Sequence, residues 1–206
     1  MMIAISALIL VAGMAVYYLI KKEDSRLNAK QKAGLKIIPT SLCAALALYG
    51  AVTGGGASAW LLFFGLCVCA LADWLLEFQF FKGMAAFGLG HIFYCIGYVL
   101  AGPVKILSLI VFLALFGVIL IVYSKLKDRL EQAPMYLCYA AVLCCMAALA
   151  ASRQSFLMIG GLLFVISDCM IGIGQATKNS SRIYGIAILV TYYAAQFLIA
   201  CSTIFA

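Results

Sequence analysis

Long apolar runs separated by short polar connections dominate this sequence. The runs are continuous rather than alternating at every second residue, which favours membrane-spanning helices over the strands of a β-barrel. A helix needs about 20 apolar residues to cross a bilayer, and the runs are close to that length. The pattern predicts eight spans: 2–20, 34–53, 57–77, 83–101, 104–123, 134–151, 155–175 and 181–204.

Composition supports the same interpretation and leaves no room for a soluble domain. Of the 206 residues, 67% are apolar and 10% are charged, whereas soluble domains average about 25% charged residues. We therefore predict one all-α domain covering residues 1–206, a bundle of about eight transmembrane helices. A short internal similarity, GLCVCALAD ending at Asp73 and GGLLFVISD ending at Asp168, fits a parallel duplication of 1–101 and 104–206.

Basic residues are distributed unequally between the two sides that these spans define. Eleven lysine and arginine residues fall in or beside the connections of one side, and only Lys105 and Arg153 fall on the other. Because cytoplasmic connections are enriched in such residues, both termini are expected on the non-cytoplasmic side. The net charge of +7 then marks a membrane face, which predicts membrane lipids rather than nucleic acid as partners. Short connections favour a bacterial inner membrane.

The nine cysteines all fall within predicted spans, and none lies in a connection. The sequence has no C-x-x-C pair and no spacing of cysteine and histidine that is typical of a zinc site. Buried free cysteines commonly behave as small apolar residues. We therefore expect neither a disulfide framework nor a metal or other cofactor.

Two carboxylates, Asp73 and Asp168, lie in the interior of predicted spans, away from the span ends. A charged side chain there costs about 2.5–3.5 kcal/mol on insertion scales, so such residues usually face the bundle interior and mark a functional site. A rise of about 1.5 Å per residue places both acids in the cytoplasmic half of the bilayer, within about 5 Å of each other along its normal. If they meet, one would be protonated and act as a general acid beside a general base. The alternative is a buried acid that only fixes helix packing.

Four further polar side chains are candidates for binding a substrate or positioning the acids. Lys36 either reaches the interface or holds a lipid phosphate. His91, the only histidine, is either a contact between helices or part of the cavity that holds the acids. Tyr192 and Gln196 are four residues apart and share one helix face, which either bonds a neighbouring helix or lines an aqueous pocket. Glu77 is expected at the interface.

Five segments, in order along the chain, resemble the YhhN-like family of membrane proteins, which includes lysoplasmalogenases. These segments are LKIIPT, GLCVCALADWLLEF, FKGMAAFGLGHIFY, GGLLFVISDCMIGIG and TYYAAQFLI. The resemblance covers nearly the whole chain and implies that Asp73 and Asp168 match the acidic positions thought to be catalytic in the family. The chain departs from the family in Ala72, where glycine is common, and in the two isoleucines between Lys36 and Pro39.

The resemblance implies hydrolysis of the vinyl ether bond of a lysoplasmalogen taken from the bilayer, which releases a fatty aldehyde and glycerophospho-ethanolamine or -choline. Such a bond hydrolyses after protonation of its β-carbon, which needs a carboxylic acid, a carboxylate that activates water, and no metal. A proton-coupled or small-solute transporter is the main alternative, because intramembrane acids serve transport as well. A structural membrane protein, or an enzyme acting on another ether or ester lipid, is also compatible, although no Gly-x-Ser-x-Gly nucleophile elbow is present.

Overall fold

Helices make up the regular structure of the residues that the structure describes. The computed structural model describes residues 28–54, 56–179 and 181–204, together with residues 8, 11–13 and 15. The first predicted span, 2–20, therefore lies mostly outside the described residues, and the five described positions within it are helical. In the described part of the chain, seven helices are long and apolar enough to cross a membrane. The prediction of an all-α membrane bundle is confirmed, and the protein is an integral multi-pass membrane protein.

Seven helices in the described residues match seven of the predicted spans. They are α1 (Ala29–Val52), α2 (Ala57–Leu76), α3 (Phe80–Leu100), α4 (Ile106–Leu126), α5 (Ala133–Ala151), α6 (Ser155–Thr177) and α7 (Arg182–Ser202). A short 3-10 helix, Lys127–Arg129, follows α4. We call the end that carries the connections after α2, α4 and α6 the basic end. The end that carries the connections after α1, α3 and α5 is the opposite end.

The start of α1 differs from the prediction, because the helix begins at Ala29 rather than at residue 34. The Asn28 side chain accepts a hydrogen bond from the Gln31 backbone N–H at 2.9 Å, and the Gln31 side chain accepts one from the Asn28 N–H at 2.9 Å. This capping box satisfies two backbone donors and stabilises a polar first turn. Lys36 therefore lies about two turns into the helix rather than in its first turn, and one turn before Pro39.

Six of the helices form a closed ring, in which α1 contacts α2, α2 contacts α3, α3 contacts α5, α5 contacts α6, α6 contacts α7, and α7 contacts α1. Helix α4 packs outside this ring, mainly on α5. Ser108 is its buried residue, and many of its large apolar side chains, such as Leu109, Leu113 and Ile121, are exposed, as expected of a helix that faces lipid. The other helices carry buried polar side chains, among them Thr40, Asp73, His91 and Gln196.

Glycines set the close contact between α2 and α3. A Cβ on Gly65 would collide with the ring of Tyr94, and a Cβ on Gly90 would lie 2.7 Å from Cys69 Sγ. Small residues of this kind let membrane helices approach closely. The contact brings the Tyr94 side chain to the centre of the ring of helices, where it is fully buried.

Candidate functional site

Asp73 lies in the last turn of α2 and is 7% exposed. Its Oδ2 atom accepts hydrogen bonds from Thr40 Oγ1 of α1 at 2.6 Å and from the Tyr192 hydroxyl of α7 at 2.8 Å. A buried carboxyl group needs such partners, because burial without them costs several kcal/mol. Three helices of the ring therefore meet at this one acid.

A chain of hydrogen bonds continues from Tyr192 into the core. Gln196 Nε2 donates to the Tyr192 hydroxyl oxygen at 3.0 Å, and the Tyr94 hydroxyl donates to Gln196 Oε1 at 2.9 Å. Because the Tyr192 oxygen accepts from Gln196, its single proton points to Asp73. The bond from Tyr94 in turn fixes which way the Gln196 amide faces. The last hydrogen bond of this series is therefore the one that Tyr192 donates to Asp73. Tyr192 and Gln196 share one helix face, as their spacing predicts.

Asp168 lies in the middle of α6 and has a separate set of partners. The Tyr139 hydroxyl of α5 donates to Asp168 Oδ2. His91 Nε2 of α3 lies 3.1 Å from the Tyr139 oxygen and 3.8 Å from Asp168 Oδ2. Since Tyr139 gives its only proton to Asp168, the Nε2 atom of His91 is the donor to Tyr139. His91 is fully buried and acts on Asp168 through Tyr139.

One buried aromatic ring connects these two networks. Phe164 is fully buried, and its centroid lies 4.5 Å from that of His91 and 5.4 Å from that of Tyr192, both in edge-to-face geometry. Edge-to-face contacts favour one arrangement of the rings. Phe164 therefore holds the partners of Asp73 and of Asp168 in fixed positions relative to each other.

Both acids line one cavity of about 330 Å³ near the basic end, which we call the acidic cavity. Lys36 and Glu77 also line it and form an ion pair across α1 and α2. Their side chains are 28% and 21% exposed, so this pair lies closer to the membrane surface than Asp73. Glu77 is thus a charged partner of Lys36 as well as an interfacial residue.

A second opening reaches Asp168 from the side of the bundle. This groove of about 310 Å³, which we call the apolar groove, lies between α4, α5 and α6. Its walls are almost entirely apolar, and they include Tyr139 and Asp168 together with Val122, Leu126 and Leu143. Asp168 therefore lies on both the acidic cavity and the apolar groove.

A protein-family model described as the YhhN family matches residues 31–203 of this chain. The chain belongs to the YhhN family. The match extends over α1 to α7 and contains both aspartates, so the sequence-based prediction of the family is confirmed. Comparisons with curated proteins and with solved structures gave no match.

Some of the predicted site residues of this YhhN family member line the acidic cavity, and others lie behind its lining. Asp73, Asp168, Lys36 and Tyr192 line it, while Gln196 and His91 lie behind the lining residues. Among the described residues, no group of three or more histidine, cysteine, aspartate or glutamate side chains is placed to hold a metal ion. The two carboxyl groups of the site suit proton transfer, and the hydroxyl and amide groups around them hold them in place.

Three site residues of this YhhN family member were not predicted as functional. Thr40 and Tyr139 each donate to an aspartate, and Glu77 pairs with Lys36. The spacing of Thr40, one turn after Lys36 on α1, was a usable signal, because residues four apart share a helix face. Tyr139 has no comparable signal, since its role depends on how α5 packs against α6.

Proposed function

We propose that this protein is a membrane-embedded hydrolase that cleaves the vinyl ether bond of lysoplasmalogens. The products are a fatty aldehyde and glycerophospho-ethanolamine or -choline. The observation that carries this proposal is the pair of intramembrane aspartates on one cavity in a member of the YhhN family. Paired carboxyl groups, one protonated and one ionised, are the groups that acetal-like hydrolysis requires.

The shape of the site supports an amphiphilic substrate. The acidic cavity offers charged groups at the basic end, and the apolar groove between α4, α5 and α6 has almost entirely apolar walls. A lysolipid has one alkyl chain and one charged headgroup, and the scissile bond lies where the two parts join. Asp168 lies where the cavity and the groove meet, so the alkyl chain would occupy the groove and the headgroup the cavity.

This orientation assigns a role to each aspartate. The β-carbon of the vinyl ether is on the side of the alkyl chain, so the Asp168 carboxyl group donates its proton there and an oxocarbenium ion forms. Asp73, on the polar side, takes a proton from water as the water oxygen attacks the carbon bonded to oxygen. The hemiacetal then breaks its bond to the glycerol oxygen. That oxygen receives a proton from Asp73, and the hemiacetal hydroxyl gives its proton back to Asp168 as the aldehyde carbonyl forms.

The remaining polar residues position the acids and the headgroup in this proposal. Tyr139 orients the Asp168 carboxyl group, and Thr40 does the same for Asp73. Lys36 and Glu77 together match a zwitterionic headgroup, since Lys36 suits its phosphate and Glu77 suits its ammonium group. Binding would replace one ion pair with two, so little electrostatic energy would be lost.

The test is aldehyde release from a lysoplasmalogen by the full-length protein purified in detergent. Asp73→Asn and Asp168→Asn should each lower the turnover by about 10²–10⁴-fold, the range typical of a general acid or base. Asp128→Asn is the matched control, because Asp128 is an exposed acid in the 3-10 helix. A lysolipid with a saturated alkyl ether should release no aldehyde.

Full activity of both folded variants would refute the assignment of the aspartates. Absence of aldehyde release from folded wild-type protein would refute the substrate. Proton or solute flux in liposomes that is lost in Asp73→Asn, without aldehyde release, would instead indicate a transporter.

A further inference from the structure

A second and larger cavity lies at the opposite end of the bundle. Its volume is about 700 Å³, compared with about 330 Å³ for the acidic cavity. The connections after α1, α3 and α5 and the last turn of α7 form its walls. Leu62 lines it and Asp73, which lines the acidic cavity, is eleven residues further along α2, so these two lining residues are about 16 Å apart along this helix at 1.5 Å per residue. One headgroup cannot occupy both cavities.

Two polar groups in this second cavity are buried without a hydrogen-bond partner. Tyr98 is 1% exposed, and its hydroxyl has no partner among the described residues. Arg153 donates from Nη2 to the carbonyl oxygen of Gly102 at 2.6 Å, while its Nε is buried and unpartnered. Both residues line the cavity. Because an unsatisfied buried donor costs about 1–3 kcal/mol, two such donors on one cavity point to an acceptor that occupies it.

The charge of the second cavity is positive. Lys105 and Arg153 line it, and none of the described lining residues is an aspartate or glutamate. Helices α2 and α4 begin at this cavity, at Ala57 and Ile106, and neither has a side-chain cap. The first N–H groups of a helix have no partner within the helix and carry a partial positive charge, which favours anions.

We propose that the second cavity binds a phosphate group, either that of a lipid headgroup or free phosphate. A phosphate has several acceptor oxygens, which match the planar fork of Arg153, the Tyr98 hydroxyl and the N–H groups at the start of α2. The apolar lining residues Leu62, Leu100 and Leu157 leave a surface for the carbon part of a lipid. The site is independent of the proposed hydrolysis.

The experiment measures calorimetric binding of two probes to full-length protein in a phosphate-free sugar detergent. The probes are dihexanoyl phosphatidylglycerol and inorganic phosphate. We expect Tyr98→Phe to weaken binding about tenfold or more, as loss of a hydrogen bond to a charged group should. The same variant should melt at or above the temperature of the wild type without a probe, because it removes an unsatisfied hydroxyl. A purely structural tyrosine would not show these opposite effects.

Three further variants complete the test. Lys105→Gln and Arg153→Gln should both weaken binding, and raised salt should weaken it in the wild type. Lys36→Gln should bind both probes as the wild type does, which separates this site from the acidic cavity, where the phosphate is assigned to Lys36. Should Arg153→Gln fail to fold, Tyr98→Phe and Lys105→Gln decide the outcome.

Binding of the lipid alone identifies a headgroup site, and equal binding of both probes identifies a phosphate site. Failure of the wild type to bind either probe, or unchanged affinity in Tyr98→Phe and Lys105→Gln, would overturn the proposal.

Discussion

Thr40 allows the role of Asp73 to be tested without a change to the acid itself. The Thr40 hydroxyl donates to Asp73 Oδ2 at 2.6 Å, and the Thr40 side chain is fully buried. Valine has nearly the shape of threonine but no hydroxyl. Thr40→Val therefore removes one donor to the carboxyl group and leaves the donor from Tyr192, at 2.8 Å, in place.

The size of the effect follows from the kind of hydrogen bond that is lost. A hydrogen bond to a charged group contributes about 1.5–3 kcal/mol, and each 1.36 kcal/mol of activation free energy changes the rate about tenfold. If Asp73 is a carboxylate that activates water, kcat/KM for aldehyde release should fall about 10- to 150-fold in Thr40→Val. The loss should be smaller than in Asp73→Asn, because Tyr192 still holds the acid.

The assay is aldehyde release from a lysoplasmalogen, with melting temperature as the check on folding. Thr191→Val is the matched control, since the Thr191 hydroxyl donates within its own helix, to the carbonyl oxygens of Ala187 at 2.8 Å and Ile188 at 3.0 Å. Thr40→Val added to Asp73→Asn should cause no further loss, because coupled residues are not additive. Wild-type kcat/KM in folded Thr40→Val, or the same loss in Thr191→Val, would refute this reasoning.

Three further predictions concern other parts of the site and its frame. Tyr139→Phe removes the donor to Asp168, and kcat should fall about tenfold or more while lysolipid binding is kept, as initial rates over a range of substrate would show. Lys36→Ala should raise KM and leave kcat unchanged if this lysine only binds the phosphate; a fall in kcat alone would argue against that role. Gly65→Ala should lower the free energy of unfolding by about 1–3 kcal/mol through overpacking, measured in denaturant. Gly117→Ala is the control and should not lower this free energy, because a Cβ on Gly117 would meet no atom within 4 Å.

The sequence was sufficient to predict most of the fold because lipid imposes a simple rule on it. Every spanning segment must be helical and apolar over about 20 residues, so seven helices appear directly in the apolar pattern. The predicted start of α1, at residue 34, was wrong because the capping box of Asn28 and Gln31 extends the helix through polar residues to Ala29. A pattern of apolar residues contains no information on such a cap.

The candidate site could be predicted only in part. A carboxylate inside the membrane is rare and costly, so Asp73 and Asp168 stand out in the sequence. Hydroxyl groups are common in membrane helices and cost little there, so Thr40 and Tyr139 do not. Their roles arise when α1 packs beside α2 and when α5 packs beside α6. The position of α4 outside the ring of helices could not be predicted from the sequence either.

The interior of the ring, as far as the structure describes it, argues against an open channel from one end to the other. A transported solute needs a route from the acidic cavity to the opposite end. Leu66, Tyr94 and Ile199 lie between the two cavities along α2, α3 and α7, and each is fully buried. Tight packing of this kind leaves few voids, and in the described residues it separates the two ends.

The acidic cavity is instead open to the basic end, and the apolar groove brings the lipid side of the bundle to Asp168. A lysolipid that is already in the bilayer needs only these two openings, one for its chain to enter and one for its polar product to leave.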